Sequence, residues 1–280
     1  MAIRQDINNF FARSSTPILT RIIVINILVF LVANLYASFS QSHYLFQYVA
    51  LPSSPYLFLH RPWTLLTYMF LHYEFSHILF NLLWLYWMGR LFAEYMGEKR
   101  LIYTYIIGGF CGGLLFVLIY GVAFPQPNLL LGASAGIMAV IVAIATLIPD
   151  YEMNLLFIGP VKLKWVALAS FIITSVVDFS VNSGGKVAHI GGAFYGLLYT
   201  WQYRKGNDFV QKLSSAFSSI GSIFKGSGSK KAKLTGTRGG RATPDKQRRI
   251  DDILDKISHS GYESLSKEEK DFLFKSSKDN

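Results

Sequence analysis

Gly132-Ala133-Ser134-Ala135-Gly136 is a small-residue turn that places a serine at the mouth of an apolar run reaching Ile148. At 1.5 Å per residue the run from Ser134 covers roughly 22 Å, short of a hydrocarbon core roughly 30 Å thick. As a membrane helix it therefore begins below the surface. The uncharged, proline-broken segment from Phe124 to Leu131 leads into it, so the serine sits at depth, where a hydroxyl needs a reason.

The composition supports a membrane setting. Of the 280 residues 51% are hydrophobic, with 22 Phe and 16 Tyr, and the mean hydropathy is +0.32. One ordinary soluble domain is less apolar than this. The single cysteine, Cys111, lies inside an apolar run and supports neither a disulfide framework nor a Cys-based metal site. The net charge of +10 resides in short loops and the C-terminal tail. Basic residues there serve topology and anionic lipid, so the expected partner surface is the lipid bilayer and not nucleic acid.

Outward from the serine run, five further apolar segments reach spanning length or approach it: about Ile18 to Ser38, Ser76 to Tyr95, Leu101 to Ala123, Trp165 to Val181, and Val187 to Tyr203. The first is too long for a signal-peptide core and lacks a small-x-small cleavage site, so an uncleaved helix is expected. Between Phe39 and Phe75 the chain is rich in aromatics and broken by Pro52, Pro55 and Pro62, as in an interfacial loop. Gly108, Gly109, Gly112 and Gly113 in the third segment permit close helix approach, and Asn182-Ser183-Gly184-Gly185 reads as a turn before the sixth. The expected fold is all-α, a polytopic six-transmembrane-helix bundle.

The domain reading is residues 1–17 as an N-terminal segment, 18–205 as the membrane domain, 206–243 as a flexible basic linker and 244–280 as a small helical C-terminal region. In the last, Ile250, Ile253, Leu254 and Ile257 form one stripe. Ser266 and Glu269 have capping-box spacing before Phe272-Leu273-Phe274. Two short helices bury little alone, so docking onto the membrane domain or a partner is expected. With both termini in the cytoplasm, Arg4, Arg13, Arg21, Arg90, Lys99, Arg100, Lys162, Lys164, Arg204 and Lys205 fall inside. Only Arg61 and Lys186 fall outside.

On this topology the second, fourth and sixth segments run in one direction and carry polar residues near their outer ends: His77 and Asn81, then Ser134, then His189. His77 and Asn81, four apart, share a helix face. Ala188, Gly192 and Gly196 make a small-residue stripe beside His189, allowing the close contact that a serine–imidazole hydrogen bond requires. Each residue has a plainer reading. A lone membrane histidine serves packing or a proton path, Asn81 interhelical adhesion, and a serine its own helix backbone. Taken together they suggest a serine nucleophile with an imidazole base and no carboxylate third member, since Asp178 reads as an interfacial residue. His77, Asn81 and the Ser134 N–H would supply oxyanion donors.

At this point the sequence resembles the rhomboid family of intramembrane serine proteases over most of Arg61 to Tyr203. The resemblance rests on His72, His77 and Asn81 in His-Tyr-Glu-Phe-Ser-His-Ile-Leu-Phe-Asn, on Gly132-Ala-Ser134-Ala, and on Ala188-His189-Ile-Gly-Gly-Ala-Phe-Tyr-Gly196. It implies a six-helix bundle with Ser134 as nucleophile, His189 as general base, and His77 and Asn81 in the oxyanion hole. Cleavage of transmembrane segments of other membrane proteins, without metal or cofactor, follows from it. Phe80 and Trp84 match a lateral substrate gate against the fifth helix, with lipid-facing aromatics as the plainer reading, and Glu94 matches a structural acid, read as packing. Ala135 stands where many members have glycine, and Met138 where an aromatic often supports the histidine. The location implied is a cell or bacterial inner membrane. The alternatives are a catalytically inactive relative that binds transmembrane segments in quality control, and a small transporter using His77 and His189 as a proton relay.

Overall fold

The computed structural model describes residues 16–124, 128–155, 158–176, 183–211, 252–253, 255–257 and 261–278. The chain divides into two units, Met1–Ile220 and Gly221–Asn280. Asp178, the 226–243 part of the linker, Ile250 and Leu254 lie outside the described residues.

Pro17, which has no N–H to leave unpaired, opens the first helix, α1 (Pro17–Ser40), and Gln41 ends it in the left-handed region at φ 50°. No side chain of its own caps this start. The carboxylate of Glu98 does so from elsewhere in the fold, accepting from the N–H of Ile18 at 2.8 Å and of Leu19 at 3.4 Å. This is the acid that packs, whereas Glu94 is exposed. Loss of the carboxylate in Glu98→Ala is expected to cost about 1–2 kcal/mol, with partial recovery in Glu98→Gln. Thermal unfolding of the solubilised protein measures it, and an unchanged midpoint in the alanine variant would deny the cap any weight.

The expected interfacial loop is built of short helices: α2 (Tyr44–Val49), α3 (Pro55–His60), α4 (Thr64–Thr67) and a 3-10 turn at Tyr68–Phe70. Ser54 caps α3 by accepting from the Leu57 N–H at 3.4 Å. Phe46, Ala50 and Leu71 pack with Ala33 of α1 in a small apolar cluster. The Tyr68 hydroxyl donates to the Gly109 carbonyl at 2.7 Å and the Tyr105 hydroxyl to the Met69 carbonyl at 3.2 Å, so buried phenols find partners while fixing the loop to the third long helix.

The long helices that follow among the described residues of this unit are α5 (Phe75–Met96), α6 (Glu98–Ala123), α7 (Ser134–Leu147), α8 (Leu163–Ser175) and α9 (Ser183–Arg204). By length and composition α1 and α6 can each cross a membrane, while α7 and α8, at 14 and 13 residues, are apolar but shorter. α5 and α9, 22 residues each, carry the polar groups singled out above. Two departures from expectation concern α9 and strands. Gly184 and Gly185, expected in a turn, are helical. A Cβ at Gly184 would lie 2.7 Å from Phe116, so close packing and not chain reversal is what the missing side chain serves. The fold is mostly helical but not wholly so. Leu51–Pro52 (β1) pairs with Leu129–Leu130 (β2), and Glu152–Leu155 (β3) with Gly159–Lys162 (β4). In the second pair Met153, Leu155 and Val161 turn onto the core while their neighbours face out, the two-residue period of a strand.

Glycines set how closely α6, α7 and α9 approach. A Cβ at Gly108 would stand 2.2 Å from the Ala139 Cβ, one at Gly192 2.1 Å from the Ala135 carbonyl oxygen, and one at Gly196 2.3 Å from that of Ala139. The stripe on α9 thus meets Ala135 and Ala139 of α7 backbone to backbone, turn for turn.

In the second unit Ser266 and Glu269 form the capping box at the start of α10 (Lys267–Lys278). The Ser266 N–H donates to Glu269 at 2.7 Å and the Glu269 N–H to the Ser266 hydroxyl at 3.2 Å. Ile253 and Leu265 are buried, and Lys256 pairs with Glu269 at 3.0 Å.

Candidate active site

Ser134 is the first residue of α7, preceded by Ala133 already in helical conformation. The turn that delivers it depends on Gly132, whose φ of +119° suits only glycine and whose Cβ, if present, would meet the His77 ring at 2.8 Å. Three bonds fix this turn. The Gly132 N–H donates to the Tyr68 carbonyl at 2.9 Å. The Ala133 N–H reaches His72 Nε2 at 3.3 Å, and Asn81 Nδ2 shares that nitrogen at 3.2 Å. Accepting from both, His72 carries its own proton on Nδ1. It joins the serine turn to α5, a role for which the sequence offered the histidine but no geometry.

His189, on α9, brings Nε2 to 2.7 Å from the Ser134 hydroxyl. Its Nδ1 lies 3.0 Å from the carbonyl oxygen of Thr174 in the last turn of α8. A carbonyl can only accept, so Nδ1 holds the ring proton and Nε2 presents its lone pair to the serine. His189 as a whole is 8% exposed, at the α7–α9 contact. An orienting partner for the imidazole therefore exists, and it is main chain. Nothing in a sequence marks which carbonyl will fall there.

Asn81, Trp84, Ser134, Met138, Thr174 and His189 share the wall of a cavity of about 60 Å³. His77 is not in that wall but lies beside the serine turn. Its ring and the Ser134 hydroxyl oxygen both lie within 4 Å of the point where a Gly132 Cβ would be, and its ring meets that of His72 edge-on at 5.1 Å. The four polar residues read from topology are thus brought together. The two aromatics are not: Trp84 lines the cavity, whereas Phe80, one turn earlier, is 62% exposed. Ala135 is buried, with its methyl opposite Gly112, where a Cβ would stand only 2.8 Å away. A side chain larger than glycine at 135 is accommodated by a glycine on α6. Met138 lines the same cavity as His189.

Such an arrangement can deprotonate a serine and receive an anion beside it. The imidazole is in the accepting tautomer, and the first N–H groups of α7 have no partner within the helix. Asn81 retains a second amide hydrogen beyond the one given to His72.

Long apolar helices packed through glycines, with a serine and an imidazole bonded between two of them, define a helical membrane protein with a serine-centred site. The Rhomboid domain family matches residues 59–206, just over half of the chain, and the chain belongs to that family. Membership makes it an integral membrane protein. A second match, to a family of unknown function (DUF6576), covers residues 243–279. The chain is also similar to Rhomboid protein 1, mitochondrial, of Saccharomyces cerevisiae, 30% identical over 139 residues. That region is 47% of this chain and 39% of the yeast protein, so the chain spans well under half the length of that relative.

Proposed function

We propose that this protein is an intramembrane serine endopeptidase that cleaves the transmembrane segments of other membrane proteins through an acyl-enzyme. The observation that carries the reading is the Ser134–His189 hydrogen bond of 2.7 Å, with the far side of the imidazole held by the Thr174 carbonyl. His189 Nε2 takes the hydroxyl proton as the Ser134 oxygen attacks the scissile carbonyl carbon. The tetrahedral oxyanion is received by the Asn81 amide, the His77 ring and the N–H groups opening α7. His189 then gives its proton to the departing amine, the C–N bond breaks, and water, deprotonated by the same imidazole, releases the acyl group and restores the serine.

Six spans, on the strength of the apolar runs, and both termini in the cytoplasm, on the strength of the loop charges, complete the proposal, with a cell or bacterial inner membrane as its setting. Trp84 is the gate residue in this reading, since it lines the cavity together with Ser170 and Thr174 of α8, and Phe80 reaches it only by turning inward. The C-terminal unit regulates the membrane domain or docks a partner.

A fluorophosphonate probe tests the reading, because it phosphonylates only a serine made nucleophilic. The protein in detergent or vesicles is expected to label at Ser134, and Ser134→Ala to leave it unlabelled. Equal labelling of both would remove Ser134 from the role. An unlabelled but folded wild type that still retains transmembrane peptides would favour the inactive binder.

A further inference from the structure

An apolar groove of about 440 Å³ runs between the second half of α7, the stretch of α8 from Lys164 to Phe171 and the middle of α9. Val142, Ala145, Ala167, Phe171, Phe194 and Leu197 line it, and Ser134 is not among its walls. One end is polar. Lys164 and Thr146 belong to the lining there, and the Arg204 guanidinium reaches the Thr146 carbonyl at 3.4 Å.

That end carries the marks of a headgroup layer. Trp165 and Trp201 are exposed, Lys164 Nζ lies 5.8 Å above the Trp165 ring and Lys205 Nζ 3.4 Å above that of Trp201. Lys162 and Lys164 share Asp150, at 3.3 and 2.8 Å, and those two hydrogen bonds hold its carboxyl below the usual carboxylate range. Glu152 lies opposite Lys162 across the β3–β4 pair, and Arg100 is engaged by Asp208. Among the described residues the bases Lys162, Lys164, Arg204 and Lys205 thus outnumber the acids beside them, Asp150, Glu152 and the Asp208 that shares a pocket with Arg204 but is bound by Arg100.

We infer that this groove is a binding site for an anionic phospholipid, with one acyl chain laid along α7, α8 and α9 and the phosphate held by Lys164 and Arg204. The charge excess selects the headgroup, since basic pockets between helices attract anionic lipid. The size selects a chain over a peptide. The cavity is within the range of about 300–1,000 Å³ of ligand sites, but a helix roughly 10 Å wide fills about 420 Å³ per turn, so a whole span does not fit. Lys164 can exchange Asp150 for a phosphate without leaving the groove.

The test uses the full chain carrying Ser134→Ala, so that its outcome does not depend on proteolysis. Native mass spectrometry from nanodiscs of equal phosphatidylglycerol and phosphatidylcholine with matched acyl chains reads which lipid stays bound. Phosphatidylglycerol is expected to be retained, and Lys164→Gln with Arg204→Gln to cut that retention by about tenfold. Ala193→Leu, placed in the groove wall, is expected to lower retention of both lipids while leaving the headgroup preference. Should it fail to fold, the charge variant alone decides. Equal retention of both lipids by the wild type, no change in the charge variant, equal protection against thermal unfolding by glycerol phosphate without acyl chains, or a dimer free of lipid would each overturn the inference.

Discussion

His189→Ala is expected to lower turnover of a transmembrane substrate in vesicles by about 10⁴-fold or more, which removes about 5.4 kcal/mol of transition-state stabilisation. The loss falls on kcat, because the imidazole acts when the serine proton moves and contributes little to holding a helical substrate. Ser134→Ala should cost as much, and the double variant no more than either single one, since serine and base work as a unit. A quenched fluorescent transmembrane peptide gives the rates, and thermal unfolding shows that the variants fold. Wild-type turnover in folded His189→Ala would remove the histidine from the role of base, and additive losses would separate it from the serine.

Gly192→Ala is the second. The added methyl would lie 2.1 Å from the Ala135 carbonyl oxygen and 2.9 Å from its carbonyl carbon, and both atoms belong to a helix backbone that cannot swing aside. Either α9 moves or the helix distorts. Overpacking of this kind costs about 1–3 kcal/mol. Separation of α9 from α7 at Gly192 also lengthens the Ser134–His189 bond, one turn away, so fluorophosphonate labelling should slow more than stability alone accounts for. Gly89→Ala is the comparison: its methyl would stand 2.8 Å from Leu19 Cδ1, the end of a side chain that can rotate, and its effect should be small. Equal unfolding midpoints and labelling rates for Gly192→Ala and wild type would show that the contact does not set the site.

The contrast between those glycines reflects what a sequence discloses. The apolar runs, the polar residues within them and the stripe at Ala188, Gly192 and Gly196 lie in the chain itself, because helical period and membrane depth convert position into neighbourhood. Helix α7 was legible to within one residue, and α5 likewise. The residues that hold the site in place were harder to see. Thr174 contributes a carbonyl and Glu98 caps a helix about 80 positions earlier in the chain. Neither partnership has a periodic signal, since each arises only once helices distant in sequence are packed. Gly184 and Gly185 misled for a related reason: a glycine pair reads as a turn unless the neighbour that needs its space, here Phe116, is known. The β3–β4 pair was missed because two four-residue strands, the second with Pro160 inside it, resemble a loop.

Thr174 gives the site a property of its own. The imidazole's orienting partner is a peptide oxygen, present whatever side chain residue 174 carries, so no ordinary substitution can delete it. An aspartate in that place would be one codon change from loss, and its desolvated charge would need support inside the membrane. Here the third position is exempt from side-chain mutation and carries no net charge. Inheritance of the proposed nucleophile and base then rests on two side chains, together with whatever keeps the end of one short helix in place.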